Sequence, residues 1–310
     1  MENLAGMLIA SGQSAVEVSL FILLPIMVVM LSLMLWLESR GVVALVVRWV
    51  SPLLLPLGIT GLALFAMIQE VLVSSAAPLA TLALMARSGV APRYLAATTA
   101  MVMALAQANV VFPLAAIGLD LGVTMALSIS GGVVAAMVTY HLLGRHLSNA
   151  EAAPLPEVNE PQEQNLMALI RRAGQDAWQI TMGAMPLLIV TLVAVNLFRA
   201  TGAIDWLEGQ TAFLFEAIGF PRETLLLTIT RFVAGGTAMM GLMIEQVQAG
   251  VLSARDVNLL AGLMISPLDL AGVAIFATAG KEVAKVMKIA VLGALVGVIF
   301  RSVCHFYLYL

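Results

Sequence analysis

Charge is scarce in this 310-residue chain: Asp, Glu, Lys and Arg together make up 11%. A soluble globular protein carries about a quarter. With 61% apolar residues and a mean hydropathy of +1.02, the chain holds more apolar sequence than a soluble core of this length needs. Cysteine is nearly absent. Cys304 stands alone, which excludes intrachain disulfides, paired-cysteine redox motifs and cysteine metal cages. Histidine is limited to His141, His146 and His305, all expected near membrane interfaces and not as ligands. No nucleophile–base set, phosphate loop or metal-ligand spacing occurs, so neither an enzyme nor a cofactor, a metal site or a nucleic-acid partner is expected. The first sixteen residues lack Lys and Arg, so the first apolar run is expected to be a retained span and not a secretory leader.

What is present is an all-α pattern of a polytopic helical membrane protein, organised around Ile68–Leu84, IQEVLVSSAAPLATLAL. Glu70 and Gln69 sit in an otherwise apolar run. Ser74, Ser75, Ala76 and Ala77 then precede Pro78. Small residues before a proline are where a helix can open, because proline lacks the N–H and crowds the preceding turn. An opened backbone at membrane depth must be buried in protein or line a wet cavity. The stretch therefore reads as a re-entrant or broken helix pair carrying an ionisable group.

Along the chain, Leu20–Leu37 is a first span and Gly41–Gly58 an interfacial helix. Gly61–Arg87 enters and returns as two half-helices. Tyr94–Leu119 is broken near Gln107, Asn109 and Pro113, and Val123–Leu143 closes the first half. Ser148–Asn165, SNAEAAPLPEVNEPQEQN, is polar, acidic and proline-rich, a solvated linker. In the second half Thr181–Leu197 is a span with Pro186 inside it. Thr201–Gly219 carries Asp205, Glu208 and Glu216. Thr224–Val251 breaks at Ala234-Gly235-Gly236-Thr237, and Val257–Ala279 at Ser266-Pro267-Leu268-Asp269. Ile289–Leu310 is the last span, with Arg301 inside it. The expected division is a membrane repeat over 1–147, a polar linker over 148–173 and a second membrane repeat over 174–310.

An offset of 161 residues aligns the punctuation of the two halves without a gap. Pro25 meets Pro186, Gly41 meets Gly202, Gly58 meets Gly219, Gly89 meets Gly250, Met103 meets Met264 and Gly132 meets Gly293. About one glycine coincidence is expected by chance, and four occur. Ser74-Ser75-Ala76 lands on Gly235-Gly236-Thr237, Glu70 on Arg231 and Ala108 on Asp269. With three spans and one hairpin per half, the repeats have inverted topology. Setting the N-terminus outside puts Arg40, Arg48, Arg87, Arg93, Arg145, Arg171, Arg172, Lys281, Lys285 and Lys288 inside. Only Arg199, Arg222 and Arg255 then lie outside, near Asp205, Glu223 and Asp256. If the hairpins crossed fully, Arg87 and Arg93 would move outside and the partition would worsen. The expected location is the cell inner membrane, with both termini outside and the linker cytoplasmic.

From Pro52-Leu53 through Gly58 to Pro78-Leu79 and Gly89, the chain resembles the Gate, or nucleoside-recognition, domain. That domain occurs in the membrane parts of ferrous-iron transporters, in spore-maturation membrane proteins and in concentrative nucleoside transporters. The second half resembles it more loosely. In nucleoside transporters the first hairpin carries a Gln-Thr-Glu-Ala-Pro-Leu type of motif. The matching positions here read Ser74-Ser75-Ala76-Ala77-Pro78-Leu79. The Gln and Glu that bind sugar and base are thus replaced, and no Cys or His sits at the predicted midplane for ferrous iron.

Candidate substrate-binding residues follow from polarity at the breaks. A carboxylate at membrane depth faces a cavity, a partner or a proton path, which marks Gln69 and Glu70. Arg231, at the symmetric position, is read either as the partner of Glu70 or as part of a site. At Ser74, Ser75, Gly235, Gly236 and Thr237, opened half-helices offer N–H groups to an anion or a substrate oxygen; small-residue helix packing is the other reading. Gln107, Asn109, Ser266 and Asp269 either hold solute or a coupling cation, or bond between helices. Lys281, Lys285 and Lys288 form an inner-leaflet anchor. The leading expectation is a secondary transporter of a small polar or ionic solute, nucleoside-like on the resemblance. It would work by alternating access, with a coupling proton or sodium, the lipid bilayer as partner and room for a homo-oligomer. The alternative is a non-transporting membrane gate, scaffold or regulatory component.

Overall fold

A computed structural model of the chain describes residues 4–75, 77–149, 165–202, 206, 220–221 and 223–310. Every regular element among them is helical. Helix α1 (Leu4–Glu17) continues through π-helical Val18–Leu23 into α2 (Leu24–Ser39). Helix α3 (Val42–Leu54) buries Val43 and Val47 and exposes Leu45, Trp49 and Leu53, the pattern of a helix lying at an interface. The chain then turns by 108° into α4 (Gly61–Leu72), with the Thr60 hydroxyl capping it at 3.2 Å from the Ala63 amide. Gly58 makes that turn at φ 82°, and a Cβ there would lie 2.5 Å from the Tyr140 side chain.

The first half continues as α5 (Ala77–Arg87), α6 (Pro92–Ala104), α7 (Ala108–Ala115) and α8 (Leu121–Val138), the last prolonged by π-helical Thr139–Leu143. The second half is α9 (Leu166–Ala200), α10 (Thr224–Ala234), α11 (Gly236–Gln248), α12 (Ala254–Met264), α13 (Leu270–Ala277) and α14 (Lys281–Tyr309). Helix α9 thus begins inside the stretch read as linker: 166–173 are its first turns. Residues 150–164, Asp205, Glu208, Glu216, Arg222 and Ala76 lie outside the described residues.

The repeat is visible in the elements themselves. Moved by 161 residues, the starts of α4 to α8 fall within two residues of the starts of α10 to α14. Gly41 and Gly202 share φ 71°, and Gly89 and Gly250 have φ 71° and 72°. The hairpins α4–α5 and α10–α11 correspond, as do the interrupted crossings α6–α7 and α12–α13. An odd number of crossings in each half sets the second half upside down relative to the first.

Burial separates frame from lipid-facing wall. The window within Pro92–Ala115 is 94% buried by protein, whereas those of Leu8–Ser39, Leu121–Leu143 and Leu166–Ala194 are 33% buried. The chain is a multi-pass membrane protein with α6–α7 at its centre. Helix α14 packs on α6, α8 and α12. Small residues let these backbones approach closely. A Cβ on Gly262 would lie 2.5 Å from the Ser302 Cα, and one on Gly131 would lie 2.9 Å from the Gly297 carbonyl.

The two ends of the bundle differ in charge. Gly280 lies against Ala86, so exposed Arg87 and Lys281 share one rim. Arg93 lies beside Gly144 and donates to the Tyr140 carbonyl at 2.7 Å. At the other end Asn258 ties three elements. Its side chain accepts from the Asp120 amide at 2.7 Å and donates to the Gly118 carbonyl at 2.8 Å, while its own carbonyl bonds the His305 ring at 2.9 Å. His305 is buried in protein at this end of the bundle. It faces the loop joining α7 to α8, a contact between halves that local sequence does not reveal.

Candidate functional site

Both hairpins open where small residues cluster. Helix α4 ends at Val73, whose φ of −119° and ψ of −82° leave the helical region, and Ala77 N–H restarts the bonding on the Ser74 carbonyl at 3.1 Å. Helix α10 ends at Gly235, φ 89° and ψ 173°, a conformation open only to glycine. The interrupted crossings open beside them, at Leu105–Gln107 and at Ile265–Asp269.

At the first tip, the Glu70 carboxyl is wholly buried. Ser75 donates its hydroxyl to Oε1 at 2.9 Å, and Oε2 has no hydrogen-bond partner. Next to it, Thr81 donates to the Gln69 side-chain oxygen at 2.7 Å and closes α4 onto α5. Ser74 is buried at the turn itself. A buried, half-satisfied carboxyl is costly and uncommon away from sites of function. The nearby cation is Arg301 of α14, which acts on Glu70 through space.

At the second tip the polar groups are matched among themselves. The Arg231 guanidinium donates from Nε to the Met264 carbonyl at 2.9 Å and from one Nη to the Leu268 carbonyl at 2.9 Å. Its other Nη reaches the Ser266 carbonyl at 2.7 Å and the Ser266 hydroxyl at 2.6 Å. The pairing of Arg231 with Glu70 is therefore not formed. The donors of Arg231 are used instead on the break of its own half. The Asp269 carboxylate accepts from the Gly272 amide at 2.6 Å, capping α13, and also faces the Gly236 amide at the start of α11. Of the N–H groups expected to await an anion, that of Gly235 donates to the Arg231 carbonyl at 2.9 Å and that of Gly236 faces the Asp269 carboxylate.

Between the tips lies the first interrupted crossing. Gln107 sits against Gly236, where a Cβ would be 3.2 Å from both ends of its amide. Asn109 donates to the Thr237 hydroxyl at 3.3 Å, and its Oδ1 is buried without a partner. The expected residues thus gather in two groups: Gln69, Glu70, Ser74 and Ser75 at one tip, and Gln107, Asn109, Arg231, Gly235, Gly236, Thr237, Ser266 and Asp269 at the other. Arg301 belongs with them. It donates to the Gly262 carbonyl at 2.7 Å and the Ile265 carbonyl at 2.5 Å. Its sequence signal was a lone cation in an apolar span. Among the described residues no cluster of His, Cys, Asp and Glu is arranged to hold a metal.

Two hairpins and two interrupted crossings, with buried polar groups at their breaks, define a helical membrane protein built of two repeats. Comparison with known proteins agrees. No family model matches the sequence. Over 129 residues the chain is 27% identical to spore maturation protein B of Bacillus subtilis (strain 168), a stretch covering 41% of this chain and 72% of that protein. Among solved structures it is similar to CNTnw, a concentrative nucleoside transporter, in an inward-facing substrate-bound state. That match has a TM-score of 0.69 and 17% identity over 93% of this chain and 74% of the other. An outward-facing form of CNTnw matches with the same TM-score and identity over 96% and 83%. The resemblance read from Pro52 to Gly89 is upheld on both counts.

Proposed function

We propose that the protein is a secondary membrane transporter of a small polar or ionic solute, working by alternating access, with Glu70 as the proton- or cation-coupling group. The observation that carries this reading is the Glu70 carboxyl, wholly buried at an opened hairpin with Oε2 unpaired. A group in that state gains most from a proton or a cation, and whatever neutralises it alters the hairpin it closes. The unpaired Asn109 Oδ1 and the Gln107 amide, next to Gly236 and Thr237, offer polar contacts to a solute. The likeness to CNTnw, whose structures span inward- and outward-facing states, supports the transport class. The replaced family motif at Ser74–Leu79 argues for a solute other than one held by that motif, though a nucleoside-like solute stays within the class. We assign 1–147 and 174–310 as the two membrane repeats and 148–173 as the cytoplasmic connection between them, its last turns, from Leu166, already belonging to α9. Both termini would lie outside the inner membrane, since the shared basic rim of Arg87 and Lys281 then faces the cytoplasm.

A second reading, a non-transporting gate or scaffold, draws on the likeness to spore maturation protein B and on the closed second tip. A thermal-shift screen of the purified protein separates the two. Nucleosides, amino acids, organic anions and divalent metals are tested on wild type and on Glu70→Gln. A transporter gives a ligand-dependent rise in melting temperature that the variant loses. A ligand that stabilises both equally removes Glu70 from the mechanism, and no ligand at all favours the scaffold.

A further inference from the structure

An interrupted helix exposes carbonyls at its C-terminal end that cannot bond to water in a bilayer. Their dipoles point the same way and make a place for a cation. At the end of α12 Arg301 takes the Gly262 and Ile265 carbonyls, and the break just beyond is occupied as well. The carbonyls of Met264, Ser266 and Leu268, with the Ser266 hydroxyl, surround one guanidinium, and each contact lies between 2.6 and 2.9 Å. Arg231 is 1% exposed. The planar fork of guanidinium suits several fixed acceptors at once, as a lysine ammonium does not. Asp269 then fills the complementary anion position, on the amides of Gly236 and Gly272.

We infer that the α12–α13 break is a cation site of the guanidinium class, permanently filled from within by Arg231, so that the second hairpin exchanges no ion with the surroundings. The offset of 161 residues puts Glu70 where Arg231 stands, and Ala108, which cannot cap, where Asp269 stands. The two halves thus share a backbone plan, and one of them has been closed by its own side chains. Emptying the site should reveal what it prefers. Arg231→Ala leaves three carbonyls and a hydroxyl around a guanidinium-shaped space, which free guanidinium can enter.

The test uses the purified full chain in detergent, with no solute added, so its outcome is independent of any transport assay. Arg231→Ala should melt lower than wild type. Guanidinium chloride at low, non-denaturing concentration should restore roughly half or more of the lost melting temperature, by mass action on the folded state. Equal sodium chloride, or urea as the neutral isostere, should not. Wild type and Arg231→Lys should show no guanidinium-dependent rise. If Arg231→Ala does not accumulate folded, the readout becomes its monodisperse yield from membranes extracted with guanidinium or with urea, and guanidinium should raise it. Equal response to guanidinium, sodium and urea, or an Arg231→Lys variant as stable as wild type, overturns the inference.

Discussion

Around Gly235 the chain answers its own opened backbone with two charges, Arg231 on the carbonyls of one helix end and Asp269 on the amides of two others. Around Ser74 the equivalent positions hold an acid with a free oxygen and an alanine. The order of helices and breaks is shared, but the turns differ, Val73 at φ −119° against Gly235 at φ 89°, and so do the side chains that answer them. A helix break is thus not by itself a binding site. It becomes one only where the chain leaves the exposed dipoles or charges unanswered.

That contrast can be broken most strongly at Asp269. Asp269→Ala removes the cap of α13 and the charge facing Arg231 and the Gly236 amide, and should cost about 2–4 kcal/mol in chemical denaturation. A loss below about 1 kcal/mol would mean that the second tip is less closed than its bonds suggest. At the first tip, Ser75→Ala strips Glu70 of the only hydrogen bond it makes among the described residues. We expect a loss of about 2 kcal/mol, measured the same way, because the bond is to an ionisable group out of water. No loss would mean that Glu70 is held by something else, and the asymmetry between the tips would shrink. The smallest effect is expected far from both. Lys285 pairs with Glu282 at 2.7 Å, but the two side chains are 69% and 49% exposed. Lys285→Ala should change stability by less than about 1 kcal/mol and leave both tips untouched, which serves as the baseline for the other two.

Much of this was legible from punctuation. Small residues before Pro78, the Gly235-Gly236 pair and the Ser266-Pro267 step each mark an interruption that the helices respect. Glycines at matching offsets foretold turns of matching φ. Partnership was not legible. Glu70 and Arg231 align in the repeat, which suggests a pair, yet each bonds within its own half, Glu70 to Ser75 and Arg231 to the α12–α13 break. Arg301 carries no symmetric counterpart, since Tyr140 stands at its offset, and so no repeat argument singled it out. The Asp269 carboxylate and the Gly235-Gly236 break are more than thirty positions apart, and only packing brings them together.

The glycine contacts along α14 carry a mechanical consequence. Gly131, Gly262 and Gly297 each sit where one more carbon would strike a neighbouring backbone or an alanine methyl. Such an interface has no slack in register: sliding α14 by one residue along α8 or α12 would drive a side chain into the space a hydrogen now occupies. Any displacement large enough to open the bundle must therefore turn the hairpins or the outer helices about this spine, which stays shut throughout.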